Sequence, residues 1–277
     1  MFKRITIIGL GLIGGSLGLA IKHKRLARKV IGVSRRRTTI LRALSIGAVD
    51  SVTLDLKKGV EDSDLIILTV PVLKIMDLAG HIAPALKKGA IVIDAGSTKN
   101  EIVKNIESVL SGSVDFVGTH PLAGSELSGV IYARRDLFKG AYCILTKTRR
   151  TDKKALGKVK RFWRALGMKV EVMSPEKHDK CVSRLSHLPH AVSVALSNAS
   201  RKEDLRLAAG GFKDTTRIAA GSPELWKDIF ITNKKNIAAD IRILKKELSK
   251  IEAALKKGSS SELLRLFKKA KVLRDSL

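Results

Sequence analysis

Acidic residues, aromatics and cysteines are scarce in this chain, and each scarcity narrows what it can do. The two cysteines, Cys143 and Cys181, stand far apart, at no spacing that a metal site or a redox pair requires. They suit a reducing compartment, so a cytoplasmic protein without a bound metal is expected. Phe, Trp and Tyr make up 4% of the residues, too few for the stacking platforms that hold single-stranded nucleic acids. Asp and Glu number 26 against 53 Lys and Arg, a net charge of +27. Such an excess raises nucleic acid or an anionic surface as a partner. The basic residues, however, come as scattered doublets such as Lys57-Lys58, Lys87-Lys88 and Lys245-Lys246, at the polar positions of amphipathic patterns. A solvated basic surface is expected, with no specific nucleic acid, and its field attracts anionic substrates and cofactors. Long apolar runs are also missing beyond the N-terminus. The stretch from Ile5 to Ile21 resembles a signal peptide in length, but glycines interrupt it and Lys22-His23-Lys24-Arg25 follow without a small-residue cleavage site. Neither export nor membrane association is expected.

What is present is enough for a real core: 277 residues, 44% of them hydrophobic, which fits one large or two medium domains. Short β-branched runs alternate with helical patterns in the first part, the mark of βαβ units and a parallel sheet. Strands are expected over 4–8, 30–33, 65–70, 90–94, 115–118 and 142–145, continuously apolar as strands covered on both faces should be. A helix from Asp152 to Leu166, stopped by Gly167, leads to a further strand over 168–173. After Ser174-Pro175 the strand pattern ends and apolar residues recur at helical spacing. Ser222-Pro223-Glu224 reads as a helix start, with serine as N-cap and proline in the first turn. The pattern from Leu225 through Ile229, Ile237, Ile241, Leu244, Leu248 and Ile251 to Leu255 predicts one helix of about thirty residues, long enough to pack against a second subunit. Gly258 ends it, and Ser259 caps a last short helix.

Gly9-Leu10-Gly11-Leu12-Ile13-Gly14 lies between the first strand and the first helix. Alone the G-x-G-x-x-G pattern is common; in a strand–turn–helix setting it is the dinucleotide-binding fingerprint. Gly9 permits the tight turn, Gly11 lets backbone approach a pyrophosphate, and Gly14 lets helix pack on strand. Leu12 and Ile13 within the motif, and Val70-Pro71 at the end of a neighbouring strand, join the expected cofactor contacts. Where NAD-binding folds place an acid about twenty residues on, this chain has Ser34-Arg35-Arg36. A guanidinium there welcomes a 2′-phosphate, so NADP is favoured over NAD, the other reading being one more patch of basic surface. The fold expected is α/β: a Rossmann-type parallel-sheet domain over 1–174 and an all-helical domain over 175–277.

Open α/β sheets bind ligands beyond the carboxyl ends of their strands. Asp94-Ala95-Gly96-Ser97-Thr98-Lys99 and Gly118-Thr119-His120-Pro121 are such ends. An imidazole suits proton transfer in alcohol oxidation at neutral pH. His120 is the candidate base, with Ser97 beside the same hydroxyl; the plainer alternatives are a loop histidine and a serine that merely begins a helix through a capping box. Ser186-His187-Leu188-Pro189-His190 sets two histidines on one helical face, with no third ligand at metal spacing. Arg217, in Gly210-Gly211-Phe212-Lys213-Asp214-Thr215-Thr216-Arg217, suits a carboxylate clamp or a surface pair with Asp214.

Taken together, GLGLIGGS at 9–16, DAGSTK at 94–99, GTHPLAGSELSG at 118–129, SHLPHA at 186–191 and GGFKDTTRIA at 210–219 resemble the prephenate/arogenate dehydrogenase family over nearly the whole chain. The resemblance implies a nucleotide-binding domain, a helical dimerisation domain and a homodimer. It also implies oxidative decarboxylation of prephenate to 4-hydroxyphenylpyruvate in tyrosine biosynthesis, or of arogenate to tyrosine. His120 then takes the proton of the ring hydroxyl as hydride leaves, Ser97 assists there, Arg217 holds a substrate carboxylate, and His187 and His190 line the pocket. His190 and Glu126 resemble the prephenate-preferring pattern. No fused mutase or regulatory domain is expected beside these segments.

Two rival classes stand beside this reading. Another oxidoreductase on the same architecture, acting on a 3-hydroxy acid, needs a lysine-centred site in the helical half. A non-enzymatic nucleotide-binding regulator would use the basic surface.

Overall fold

A computed structural model describes residues 2–110, 112–124 and 127–276 of the chain. The strands are β1 Phe2–Ile8, β2 Ala27–Val33, β3 Ser51–Thr53, β4 Leu65–Leu68, β5 Ile91–Asp94, β6 Asp115–Pro121, β7 Tyr142–Thr146 and β8 Lys169–Met173. They form one sheet in the order β3-β2-β1-β4-β5-β6-β7-β8. All neighbours are parallel except β6 and β7, which pair antiparallel with His120 opposite Ile144. The order reverses direction at β1, so ligand sites are expected at the carboxyl edge beside it.

The helices that accompany these strands are α1 Leu12–His23, α2 Arg37–Ser45, α3 Leu56–Val60, α4 Val72–Ile82, α5 Asn100–Val109 and α6 Lys153–Ala165. The continuous apolar strands are buried on both faces. Ile5, Ile7, Leu65, Ile67, Ile91 and Ile93 join a core that includes Leu17, Ile21, Phe162 and Trp163. Their neighbours Ile8, Ile66, Leu68 and Val92 turn to the opposite face, against Ile75, Ile82, Ile102 and Ile106. Alternation of side chains along each strand thus feeds two helical layers at once.

After β8 the chain is helical: α7 Pro175–Val182, α8 Leu188–Ala199, α9 Gly210–Thr216, α10 Pro223–Thr232, α11 Lys234–Lys256 and α12 Ser260–Asp275. Ser174 caps α7 by accepting the backbone N–H of Lys177. The five residues Ser183–His187 form a π-turn between α7 and α8. Pro189, in the first turn of α8, supplies no N–H to a regular ladder and so favours this widening.

Three expectations are corrected here. The single helix of about thirty residues is two, α10 and α11, because the backbone turns at Asn233 (φ −118°, ψ 21°). The three-residue β3 was not expected, and β7 breaks the parallel run. The serine caps hold: Ser222 accepts the N–H of Leu225, and Ser259 that of Glu262. No helix among the described residues is long and apolar enough to cross a membrane.

Candidate functional site

The glycine turn sits between β1 and α1. Gly9 has φ +101°, and a Cβ there would come within 2.6 Å of the Thr69 carbonyl oxygen. A Cβ on Gly14 would lie 1.9 Å from the Gly9 carbonyl oxygen, so only glycine lets α1 start this close to the strand. At Gly11 a Cβ would meet nothing within 4 Å, which leaves the backbone open to a ligand. No side chain caps α1, and no acid stands in its first turn, so its leading N–H groups and positive end remain for an anion. Leu12 and Ile13 open the helix. Val70 packs its Cγ1 against Gly9 from the end of β4, and Pro71 is the N-cap of α4. These residues fit a dinucleotide pyrophosphate. Past β2, Ser34 accepts the backbone N–H of Arg36 at 3.4 Å, and Arg35 and Arg36 are exposed at the start of α2.

The carboxyl edge of the sheet carries the rest in order: the glycine turn after β1, Thr69-Val70-Pro71 after β4, Ser97 after β5, and His120 on β6 itself. Beyond them a cavity of about 630 Å³ is lined by Ser97, His120, His187, Arg217 and Trp226, among others. Sheet and helical part therefore bring four of the expected residues to one place. The glycine turn does not line this cavity but opens on the same edge, two strands away. His190 lies behind it, buried and stacked on Trp226 with ring centroids 3.5 Å apart and planes 8° from parallel. Glu126 falls outside the described residues. Among the described residues no cluster of three or more His, Cys, Asp or Glu is arranged to hold a metal ion.

His120 is a strand residue rather than a loop one, and only 9% of it is exposed. Burial pushes its pKa well below the ordinary histidine value, and the neighbouring His178 and Lys99 push the same way. Its imidazole is therefore uncharged and basic in form at neutral pH. Its Nδ1 lies 2.8 Å from Nε2 of His178. His178, fully buried, in turn sets Nδ1 2.8 Å from Oδ1 of Asp179.

Asp179 also settles how α5 begins. Its Oδ1 accepts the backbone N–H of Lys99 at 2.7 Å and its Oδ2 that of Asn100 at 2.9 Å. A carboxylate from α7 thus caps α5 from outside, in place of a capping box within 97–101. Ser97 lies free of the helix, on the loop that this cap anchors. Beneath the loop, Lys99 and Asp94 form a fully buried ion pair. Asp94 further accepts the N–H of Gly96 at 2.9 Å and that of Thr119 at 3.0 Å, tying the ends of β5 and β6 together.

His187 is held from the other side. Nδ2 of Asn233 donates to the carbonyl of Asp179 at 2.9 Å and lies 3.1 Å from Nδ1 of His187. Burial lowers the His187 pKa to about 4, so the ring is neutral. A neutral ring that accepts at Nδ1 carries its proton on Nε2. His187 can therefore present a donor to the cavity where His120 presents a base. Sequence reading missed His178, Asp179 and Asn233. The adjacent His178-Asp179 pair just after Ser174-Pro175 was the one visible signal.

Residues 17–172 match the family described as prephenate dehydrogenase, nucleotide-binding domain, and residues 174–269 the family described as prephenate dehydrogenase, dimerization domain. Prephenate dehydrogenase of Bacillus subtilis is 36% identical over 284 residues, covering 100% of this chain and 76% of that protein. The solved structure of prephenate dehydrogenase from A. aeolicus, in complex with hydroxyphenyl propionate and NAD+, superposes with a TM-score of 0.93 at 36% identity, over 100% of this chain and 98% of that one. Synechocystis arogenate dehydrogenase superposes with a TM-score of 0.85 at 32% identity, over 99% of both chains.

Proposed function

The chain belongs to the prephenate dehydrogenase family, and on that footing we propose that it oxidatively decarboxylates prephenate to 4-hydroxyphenylpyruvate. The observation that carries the reading is one cavity lined both by a neutral, buried imidazole, His120, and by a guanidinium, Arg217. Prephenate offers the matching groups: a ring hydroxyl to lose a proton and two carboxylates to be held.

The nicotinamide of a dinucleotide bound at the glycine turn supplies the hydride acceptor. The chain's own residues do the rest. His120 takes the proton of the ring hydroxyl as the carbon beneath it is oxidised, and Ser97 hydrogen-bonds the same oxygen. Arg217 pairs with a carboxylate and fixes the substrate's orientation, and His187, lining the same cavity, donates a further hydrogen bond to the substrate. Release of carbon dioxide leaves an aromatic ring, which makes the overall step strongly downhill.

Ser34, Arg35 and Arg36 favour NADP, since no carboxylate stands there to repel a 2′-phosphate. His190, against Trp226, and Glu126 are assigned to substrate preference. The helical part is assigned to homodimer formation. Its exposed apolar residues support this: Leu255, Phe267, Val272 and Leu273, on the last two helices, are 57–75% exposed, and a second copy of the chain would cover them. The test is the appearance of reduced nicotinamide with prephenate and with arogenate, each against NADP and NAD. The fastest turnover is expected with prephenate and NADP; arogenate turnover alone would move the chain to the second substrate.

A further inference from the structure

The proton on His120 can sit on either ring nitrogen, and only one choice leaves a base facing the substrate. We infer that His178 and Asp179 are positioning residues that fix this choice, holding the proton on Nδ1 of His120 and leaving Nε2 as the acceptor. The inference rests on the role proposed above for His120.

The assignment follows from the hydrogen bonds in order. The Asp179 carboxylate already accepts two backbone N–H groups, from Lys99 and Asn100, and it has no hydrogen of its own to give. The close Nδ1 of His178 must therefore be the donor of the pair, at 2.8 Å. His178 is fully buried, which disfavours a second proton on its ring. Its Nε2 is then a lone pair. The only hydrogen that can fill the 2.8 Å gap to His120 is the one on Nδ1 of His120. Because the His120 ring is also neutral, its Nε2 carries no proton. The reverse order would set two lone pairs, or two N–H groups, against each other inside the protein at one of these contacts.

The arrangement has a second consequence. His178 and Asp179 lie on α7, the first helix after the sheet, whereas His120 and the Ser97 loop belong to the sheet. One carboxylate both caps α5 behind Ser97 and orients the imidazole through His178. The helical part thus sets the chemical form of a group on the other part, and does more than cover it.

Two measurements test this. Protein labelled with 15N-histidine reports the tautomer of each ring by NMR, with the His120 signals assigned by their loss in His120→Asn. Without any substrate, wild type is expected to show His120 protonated at Nδ1, and His178→Leu is expected to lose that preference. In steady-state kinetics with prephenate, His178→Leu is expected to lower kcat by about 10²-fold, within the range that general-base catalysis contributes, with KM and cofactor affinity held. His178→Gln is expected to recover much of that loss, because its carbonyl oxygen can accept the same N–H. Wild type with His120 protonated at Nε2, or His178→Leu with wild-type kcat, would overturn the inference. Because the NMR result needs no turnover, a wild type inert toward prephenate would sink the proposed reaction and leave the tautomer assignment standing.

Discussion

His120, on β6 of the sheet, and Arg217, on the helical turn that follows α9, line the same cavity. The sheet delivers a neutral imidazole at its carboxyl edge, and the helices deliver a guanidinium to the same cavity. Neither part holds both groups.

Arg217→Ala should act chiefly on binding. A bidentate pair between a guanidinium and a carboxylate is worth about 1.5–3 kcal/mol. KM for prephenate should therefore rise about 10- to 100-fold while kcat changes far less. A KM equal to wild type would remove Arg217 from the carboxylate site.

Lys99 and Asp94 form an ion pair with no access to water, beneath the loop that carries Ser97. Removing one partner strands a buried charge, which costs about 3–5 kcal/mol. Lys99→Met should lower the melting temperature by many degrees, and Lys99→Met combined with Asp94→Leu should recover part of the loss. Equal stability of wild type and the single variant would show the pair to be dispensable.

Much of this architecture was legible in the chain and some of it was not. The glycine turn was legible because its requirements are local. A positive φ at Gly9 and contact at Gly14 are met within the motif, so the pattern alone carries them. Ser222 and Ser259 were legible for the same reason, each capping a helix three residues away. The break at Asn233 was hidden, since neither glycine nor proline marks it and the apolar spacing runs on through it. Asn233 turns there while its side chain reaches back to Asp179 and His187, contacts that no local pattern reveals. The cap of α5 was hidden likewise. The residues of 97–101 hold the elements of a capping box, yet the acceptor comes from position 179, on another part of the fold. Ser97 and His120 could be named as candidates from strand-end position. That His120 sits on a strand, with a second histidine behind it, needed coordinates.

The histidines set a pH dependence whose direction is fixed. Burial holds His120 well below its ordinary value of 6.5, so it remains a base through neutrality. The acid limb of kcat/KM should therefore fall well below pH 6.5, and a limb at or above that value would contradict the burial. Stability follows the same sign. His187 titrates near 4 in the folded protein against 6.5 when unfolded, so on acidification the unfolded chain takes up the proton first. Its contribution is whole above 6.5 and is lost as pH falls from there toward 4, by on the order of 3 kcal/mol at the end of that window. Melting temperatures measured across this window should drop steadily; a flat profile would mean His187 is not held neutral.

Cofactor choice should turn on the start of α2. Ser34→Asp places a carboxylate where a ribose 2′-hydroxyl would be bound and a 2′-phosphate repelled. The ratio of kcat/KM for NADP to that for NAD should fall by about 10-fold or more, the scale of one lost charge-assisted contact. Arg35→Ala should move the ratio the same way. A ratio unmoved by either change would mean that 34–36 do not meet the cofactor.

The most direct measurement is the steady-state oxidation of prephenate by His120→Asn, followed as reduced nicotinamide, beside cofactor binding to the same variant. With the base removed and the cavity kept in shape, kcat should fall by about 10²–10⁴-fold while the cofactor dissociation constant stays at the wild-type value. Wild-type turnover by this variant would mean that some other group takes the proton.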